Sequence, residues 1–429
     1  MNRLMLKTCL YLLFSVQCLV FLATQMKVLS YDMIFDQVNL SYENVEDEED
    51  HLHTLVHELE TIETRFYIYD IENITLSEGK ENGKKIFIRK RPDYYTRHIQ
   101  DFENDEQMLR ALMNSSFRVY NPEEAQIFIA PIPFRIYVYK DISFQMPMEA
   151  LSRQEPFQFH KGYNHVLIST CFALFKSEHR YRSDLSPYYD MLENVTVVQS
   201  WDPSAVYNDL QRQGSDWKDY NFLRDQKPLT KRSVSVGLGM KNADLELIQA
   251  TVNKFYNASN FIFYHSRRKS SYYNSTIYRH APITNITNKN FPKSSIGWDI
   301  EPEKWRYEMA DSQFCLVVRG DSPHSHALWR AIRVGCIPVI ASDTLPIFSP
   351  MFKHTLNMSD YSIILSEQEL VNHPEETLLR LKNMTPADIA TKISNLAFAQ
   401  QVIFTDHPRS LFVPGLLKEV TMPSEIKVK

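Results

Sequence analysis

A short apolar segment, Gln313–Val318, is followed by a turn whose residue types suit the binding of an anion. Arg319 carries a planar fork of charged donors, and Gly320 allows close approach of the backbone to a ligand. Ser322 is a good N-cap and Pro323 fits a first helical position, so a helix is predicted to begin near Pro323 with its unpaired N–H groups facing the turn. These features predict a site for a group of diphosphate size. The alternative is an ordinary strand–helix connection in which Arg319 forms a surface ion pair.

The helix that follows this turn has an apolar face and a basic face. His326, Arg330 and Arg333 share the basic face, and Gly335 stands where a left-handed C-cap is needed. The apolar residues recur at helical spacing: Ala327, Leu328, Ala331, Ile332 and Val334. A second apolar run begins at Cys336, so the pattern predicts two parallel strands joined by a helix.

Further polar residues follow two predicted strands. Arg267 and Arg268 come after the strand Phe261–His265 and either add positive charge to the site or form a solvated basic loop. Asp343 follows the strand Ile337–Ala341 and either contacts ligand hydroxyls or only turns the chain. These residues fall at the carboxyl ends of predicted strands, where ligands of open parallel sheets bind, and both interpretations stay open.

The segment RGDSPHSHALWRAIRVGCIPVIASD, residues 319–343, resembles the signature of the exostosin-type glycosyltransferases, which are Golgi enzymes of the GT-B fold. Four further segments resemble that family in the same order: FYIYD at 66–70, SFRVYNPEEAQIFIAPIPF at 116–134, GYNHVLI at 162–168 and YSIILSEQEL at 361–370. The resemblance covers roughly residues 66–404.

This resemblance implies two Rossmann-like domains that face a cleft, and transfer of a sugar from a nucleotide sugar, expected to be a UDP-sugar, to a polysaccharide or glycoprotein glycan. The residues expected to bind the donor are Arg267, Arg268, Arg319, Gly320, Asp321, Ser322, Ser325, His326, Arg330 and Asp343. No Asp-x-Asp pair follows a strand, so cation-free stabilisation of the leaving diphosphate by arginine and a helix N-terminus is expected, with no cofactor or metal.

Inversion at the anomeric carbon requires a base that accepts the proton of the acceptor hydroxyl. The candidates are Asp70, at the end of the first strand, and His165, in the segment GYNHVLI. Each also has a structural alternative, since Asp70 can be a turn residue and His165 a core histidine with satisfied hydrogen bonds.

Two positions depart from the family pattern. Asn164 stands where the family usually has Asp, and Arg330 stands where its helix often carries an acidic residue. Arg330 either pairs with a phosphate or belongs to a solvated helix face. These departures motivate a second hypothesis, a catalytically inactive protein of the same fold that stabilises another glycosyltransferase. Hetero- or homo-oligomers with such enzymes are therefore possible partners, whereas no nucleic-acid partner is expected.

The N-terminal region has the pattern of a membrane anchor. No charge occurs from Thr8 to Met26, and Arg3 and Lys7 precede this run, which favours a type II signal anchor over a cleaved signal peptide. Nine sequons for N-glycosylation follow it, at Asn39, Asn73, Asn114, Asn194, Asn257, Asn274, Asn285, Asn357 and Asn383. A Golgi membrane protein with a luminal catalytic part is predicted.

A chain of 429 residues with 44% hydrophobic content can build two domains with full cores. Apolar strands that alternate with helical stretches predict an α/β protein. The predicted organisation is a cytosolic tail (1–7), an anchor (8–26), an acidic stem too polar to bury (27–64), an acceptor domain (65–232), a nucleotide-sugar domain (233–390) and a C-terminal helix and tail (391–429). The second domain is expected to include a strand at Val234–Leu238. Cys315 and Cys336 fall on adjacent strands, either as small buried hydrophobes or as a disulfide.

Overall fold

A computed structural model describes residues 43–69, 78–81, 84–87, 103–132, 143–169, 185–200, 202, 230–236, 245–266, 291, 293–298, 302–318 and 326–422. Two parallel sheets organise this part of the chain. The predicted α/β class with parallel strands is confirmed. The predicted anchor, residues 8–26, lies outside the described residues. Among the helices that are described, none combines the length and apolar character needed to cross a membrane.

The first sheet has six parallel strands in the order β4-β1-β5-β6-β7-β8. Its strands are β1 (Phe66–Ile68), β4 (Arg118–Val119), β5 (Ile127–Ala130), β6 (His165–Ile168), β7 (Thr196–Gln199) and β8 (Arg232–Ser235). The central strands β5, β6 and β7 are buried along their whole length, as expected for parallel strands covered on both faces. A separate antiparallel pair is formed by β2 (Glu78–Glu81) and β3 (Lys84–Phe87).

The second sheet has five parallel strands in the order β10-β9-β11-β12-β13. These strands are β9 (Asn260–Ser266), β10 (Ser295–Trp298), β11 (Ser312–Val318), β12 (Ile337–Ala341) and β13 (Ile363–Leu365). β11 and β12 are parallel neighbours in the register Phe314 to Ile337, so the predicted strand–helix–strand unit is confirmed.

The helices of the described residues cover the two sheets and join them. They are α1 (Glu43–Glu60), α2 (Glu103–Met113), α3 (Gln145–Ser152), α4 (Glu155–His160), α5 (Tyr189–Leu192), α6 (Val252–Asn257), α7 (Pro302–Ala310), α8 (His326–Arg333), α9 (Leu345–Phe348), α10 (Met358–Tyr361), α11 (Glu367–Asn372), α12 (Pro374–Leu379), α13 (Pro386–Ile403) and α14 (Phe412–Thr421).

The predicted boundaries of the second domain are wrong at both ends. The strand expected at Val234–Leu238 is β8, which begins at Arg232 and pairs with β7 at the edge of the first sheet. A run of small and β-branched residues shows that a strand is present but does not reveal which sheet it joins. The boundary at 390 falls within α13, because Thr385 and Asp388 form a capping box that starts this helix at Pro386.

The predicted polar stem is also wrong in part. Glu43–Glu60 forms α1, which packs against α13 and α14. Leu59 is completely buried, and the Glu58 carboxylate accepts a hydrogen bond of 2.8 Å from Lys418 Nζ. The acidic run occupies the first half of this helix, whereas Leu52, Leu55 and Val56 supply an apolar stripe in its second half.

The C-terminal helices connect both sheets to α1 and α2. Glu419 of α14 is buried and accepts hydrogen bonds from the backbone N–H of His354 at 2.8 Å and from the Thr355 hydroxyl at 3.2 Å. Burial raises the pKa of this carboxyl to about 7, although these hydrogen bonds act in the opposite direction. The segment after α9 is thereby attached to α14.

Candidate ligand site at the carboxyl edge of the second sheet

The order of strands in the second sheet marks one place where a ligand can bind. The chain runs from β9 outward to β10 and then returns past β9 to β11, so the direction of winding changes between β9 and β11. A crevice forms outside the carboxyl ends of strands at such a switch point. In the second sheet these ends are Ser266 of β9 and Val318 of β11.

Several predicted site residues follow these strand ends directly in the chain. Those that lie outside the described residues are Asp70, Arg267, Arg268, Arg319, Gly320, Asp321, Ser322 and Ser325. The start of the helix near Pro323 also falls there. The structure describes His165, His326, Arg330 and Asp343.

The helix α8 is anchored at its C-terminal end, which determines where its other end lies. Gly335 has a φ of +60°, its N–H donates to the carbonyl of Ile332, and the N–H of Cys336 donates to that of Ala331. This is the Schellman pattern of hydrogen bonds, so the predicted glycine cap is confirmed. The predicted apolar face is confirmed as well, because Leu328, Ala331 and Ile332 are buried.

The other end of α8 carries the exposed His326, with Arg330 one turn further along. Arg330 is half-buried, and its guanidinium lies 4.6 Å from the centroid of the Trp305 ring. Stacking on an aromatic ring orients a guanidinium without neutralising its charge. Arg330 is therefore not a freely solvated side chain, because the Trp305 ring orients its guanidinium. Sequence reasoning missed Trp305, for which an aromatic residue in the first turn of a helix preceding β11 was the only signal.

Arg333, on the next turn, has a structural role. Its guanidinium donates to both oxygens of Asp406, at 3.0 and 2.6 Å, and its Nε donates to the carbonyl of Leu245 at 2.7 Å. The hydrogen bonds from Arg333 lower the pKa of Asp406 below its ordinary value, against the opposing effect of partial burial. The two basic residues that shared one predicted face thus have different environments.

Asp343 lies just beyond β12 and forms a reciprocal pair with Glu367, just beyond β13. The Asp343 N–H donates to Glu367 Oε1 at 3.1 Å, and the Glu367 N–H donates to Asp343 Oδ1 at 3.0 Å. Asp343 is exposed, whereas Glu367 is 8% exposed. This pairing gives the turn at Asp343 a defined shape and leaves an exposed carboxylate at the strand end. Glu367 was missed, although an acidic residue directly after an apolar run was visible in the sequence.

His165 lies in the core of the first sheet. It is completely buried, and its Nε2 shares a hydrogen bond of 2.5 Å with the Tyr69 hydroxyl. The rings of Tyr69 and Phe128 stack on it, and Phe157 meets it edge-on. Burial, with a further contribution from the nearby His160, lowers the pKa of His165 to about 3. The ring is therefore buried in the core, as in the structural alternative, but only its Nε2 is hydrogen-bonded, since Nδ1 has no hydrogen-bond partner among the described residues.

The carboxyl edge of the first sheet is held against the chain that follows β12. Asp202 is 2% exposed, its N–H donates to the carbonyl of Phe348 at 2.8 Å, and its carboxylate lies 3.4 Å from Lys353 Nζ. The N–H of Phe352 donates to the carbonyl of Ser235 in β8 at 2.9 Å. These contacts fix one sheet relative to the other and were not predicted.

Asn164, which stands where the family usually has Asp, has structural contacts. Its side-chain Nδ2 donates to the backbone carbonyl of Gln126 at 3.0 Å, and its backbone carbonyl accepts a hydrogen bond from the N–H of Phe128 at 2.9 Å. The residue therefore joins the start of β6 to the start of β5, at the amino edge of the sheet.

Comparisons with known proteins agree with this architecture. Residues 67–381 match the Exostosin GT47 domain. A segment of 79 residues is 34% identical to the Exostosin-1 homolog of Caenorhabditis elegans and covers 18% of this chain and 19% of that protein. The matched part thus spans about a fifth of this relative.

Solved structures also align with much of the chain. Sucrose-phosphate synthase from Thermosynechococcus elongatus aligns with 83% of this chain and 97% of its own, with a TM-score of 0.33 and 11% identity. The Anabaena protein HepE in complex with UDP aligns with 73% of this chain and 80% of its own, with a TM-score of 0.33 and 13% identity.

Proposed function

Because the chain belongs to the exostosin GT47 family, we propose that it is an inverting glycosyltransferase that transfers a sugar from a nucleotide sugar to a glycan. The family match over residues 67–381 carries this proposal. We also propose the GT-B arrangement, in which donor and acceptor bind in a cleft between the two sheets. UDP is the expected nucleotide, and a polysaccharide or glycoprotein glycan is the expected acceptor.

The donor diphosphate is proposed to bind at the switch point between β9 and β11. Helix α8 follows β11, and its basic residue Arg330 is oriented by Trp305. A diphosphate leaving group gains negative charge as the glycosidic bond breaks, and fixed cationic donors stabilise that charge without a metal ion. Arg319, Arg267 and Arg268 are proposed to supply further positive charge. The exposed carboxylate of Asp343 is proposed to accept hydrogen bonds from sugar hydroxyls.

Asp70 is the proposed general base. It follows β1, one of the two strands that flank the switch point of the first sheet, where an acceptor hydroxyl would approach. His165 is not assigned this step, because a completely buried ring with a pKa of about 3 does not reach the acceptor. His165 is proposed instead to support the core around β1, through its contacts with Tyr69.

A type II orientation in the Golgi membrane completes the proposal. Cys315 and Cys336 form a disulfide between β11 and the start of β12, and both residues are completely buried. Disulfides persist in oxidising compartments, so this bridge supports a luminal location. Among the described sequons, Asn114, Asn257, Asn357 and Asn383 are exposed, which also supports it.

The second candidate is an inactive partner of another glycosyltransferase. The observation that favours it is the stacking of Arg330 on Trp305, because a guanidinium held there replaces the acidic group that many family members carry. Donor binding separates the two candidates.

The test is thermal stabilisation of the full chain, extracted in detergent, by UDP, GDP, CMP and their sugars, with and without EDTA. We expect selective stabilisation that survives EDTA, is reduced in Arg330→Ala and Arg319→Ala, and is unchanged in Arg153→Ala. Arg153 is a suitable control, because its side chain is 76% exposed just after α3, in the domain of the first sheet. Asp70→Asn should retain donor binding and lose transfer. Cooperative unfolding with no response to any nucleotide would instead favour the inactive partner.

A further inference from the structure

A groove lies between α2 and the C-terminal helices. It has a volume of about 490 Å³ and is lined on one side by residues 107–117 and on the other by Thr405, Asp406, Ser410, Val413 and Pro414. This volume is within the range of small-molecule clefts, roughly 300–1,000 Å³. The groove includes Asp406, which binds Arg333 in the last turn of α8, whereas the candidate ligand site lies toward His326 at the first turn of that helix.

A sequon borders this groove. Asn114 follows the last residue of α2, lines the groove and is exposed. Its backbone N–H donates to the carbonyl of Arg110 at 3.1 Å, which holds it at the helix end. Ser116 completes the sequon, and the intervening Ser115 accepts a hydrogen bond from the N–H of Phe117. The acceptor nitrogen is thus attached to a fixed turn beside an open groove.

The lining of the groove suits a sugar. Polar groups of Gln107, Arg110 and Ser410 can exchange hydrogen bonds with hydroxyl and acetamido groups. Ala111 and Pro414 provide apolar surface for the faces of a pyranose ring and for a methyl group. A purely apolar or purely charged lining would not offer this combination.

We propose that Asn114 is N-glycosylated and that the first sugars of its glycan lie in this groove, where they join α2 to the α13–α14 connection. In the modification, Asn114 Nδ2 forms a bond to the anomeric carbon of a lipid-diphosphate-linked oligosaccharide. The bond from that carbon to the diphosphate breaks, the diphosphate leaves with the electron pair, and one amide proton passes to a base. This inference rests on the luminal location in the proposed function.

Two other sequons illustrate what is particular to this site. Asn194 is half-buried, and its Nδ2 donates to the carbonyl of Lys161 at 3.2 Å. Asn383 is exposed at the end of the 3₁₀ turn Arg380–Asn383. A glycan at Asn383 is therefore a reference for one attached at the surface.

The experiment uses the full chain, expressed in cultured eukaryotic cells and recovered in their microsomes. Ser116→Ala destroys the sequon and keeps Asn114, whereas Ser115→Ala is the matched control that keeps the sequon. We expect Ser116→Ala to lose one glycan on a gel and to lower the melting temperature by about 2 °C, with no mass change in Ser115→Ala. A peptide N-glycosidase acting on the folded protein should release the Asn114 glycan several-fold more slowly than the Asn383 glycan. Arg110→Ala should remove this protection.

Each other result overturns part of the inference. An unmodified Asn114 in a chain that carries glycans at other sequons would refute the site while leaving the luminal location intact. Equal release rates at Asn114 and Asn383 would show that the Asn114 glycan extends into solvent and does not bind in the groove. A chain without any glycan would contradict the inference and the luminal location together.

Discussion

The two edges of the second sheet differ in how their polar groups are used. At the amino edge, Lys254 Nζ donates to the carbonyls of Ser312 and Gly335, at 3.4 and 3.0 Å. The side chain of the buried Gln400 accepts from the N–H of Ala250 and donates to the carbonyls of Ile248 and Ile332, at 2.9, 2.8 and 2.7 Å. These groups bind other parts of the protein and leave little capacity for a ligand.

At the carboxyl edge, some of the described polar side chains are more exposed to solvent. His326 and Asp343 are exposed, and Arg330 rests on Trp305. A ligand site needs groups that are oriented but still able to bind, so the protein rigidifies the edge opposite to the site and keeps the site edge accessible. Helix α8 spans both edges, and its two arginines show the difference within one element.

The largest expected effect at the amino edge comes from Gly335→Ala. An added Cβ would lie 2.9 Å from backbone atoms of Ala250, in a residue whose φ of +60° already disfavours side chains. We expect a loss of about 4 kcal/mol in the free energy of unfolding, from left-handed strain plus overpacking. Gly415→Ala, where the added Cβ would meet the Val402 side chain at 3.2 Å, should cost only about 1 kcal/mol. Denaturant unfolding gives the free energy of unfolding of both variants. Similar losses in the two variants would contradict the expected difference.

Removal of the disulfide should have the next largest effect. The double variant Cys315→Ala with Cys336→Ala releases a cross-link between residues 21 apart in sequence. The expected loss is on the order of 3 kcal/mol, mainly because the unfolded chain regains conformational freedom. Unfolding under non-reducing conditions provides the measurement. If the single variant Cys315→Ala were as stable as the native protein, the bridge would not contribute.

The two arginines of α8 provide the sharpest test of the comparison. Arg333→Ala should lower stability by about 2 kcal/mol, because its side chain is only 12% exposed and its charged hydrogen bonds would be lost. Arg330→Ala should lower stability by a smaller amount, because the cation–π contact with Trp305 that it removes is worth about 1 kcal/mol. Nucleotide binding should show the reverse order, with Arg330→Ala the weaker binder. Equal stability losses, or nucleotide binding reduced only by Arg333→Ala, would remove the distinction between the edges.

The smallest expected effect is a pH dependence at the amino edge. Arg333 lowers the pKa of Asp406 in the folded protein, so this pair contributes stability above the carboxyl pKa of the unfolded chain, about 4. That contribution is lost as the pH falls through the lower pKa of the folded state. Asp406→Asn should have a lower free energy of unfolding than the native protein at neutral pH, and this difference in stability should narrow in strong acid. A stability difference that stays constant from pH 7 to pH 3 would exclude a contribution of the Asp406 carboxyl to the pH dependence.

Local patterns predicted the elements around α8 correctly for physical reasons. The glycine at 335 marked a left-handed C-cap, and spacing alone identified the buried face of the helix. The apolar run predicted as a strand at Ile337–Ala341 coincides with β12. Each of these features depends on neighbours within a few residues, so the sequence contains the whole signal.

The predictions that failed depended on partners distant in the chain. The sheet joined by β8 is decided by pairing with β7, and the burial of α1 is decided by α13 and α14. The choice that the sequence left open for His165 also depends on a distant partner, because its hydrogen bond is to Tyr69, 96 residues away. A single sequence does not contain these pairings, because many apolar or aromatic surfaces could serve as the partner of each segment.

The sequence by itself determined the family resemblance, the parallel strands joined by α8, and the basic and polar residue types at the ends of β9, β11 and β12. Only the tertiary structure decided that Asp343, which follows β12, stays exposed. It placed Arg333 on Asp406 and Arg330 on Trp305, although both lie on one helix face. The reason is that residue type sets what a side chain can bind, whereas the packing of distant segments sets what is within its reach.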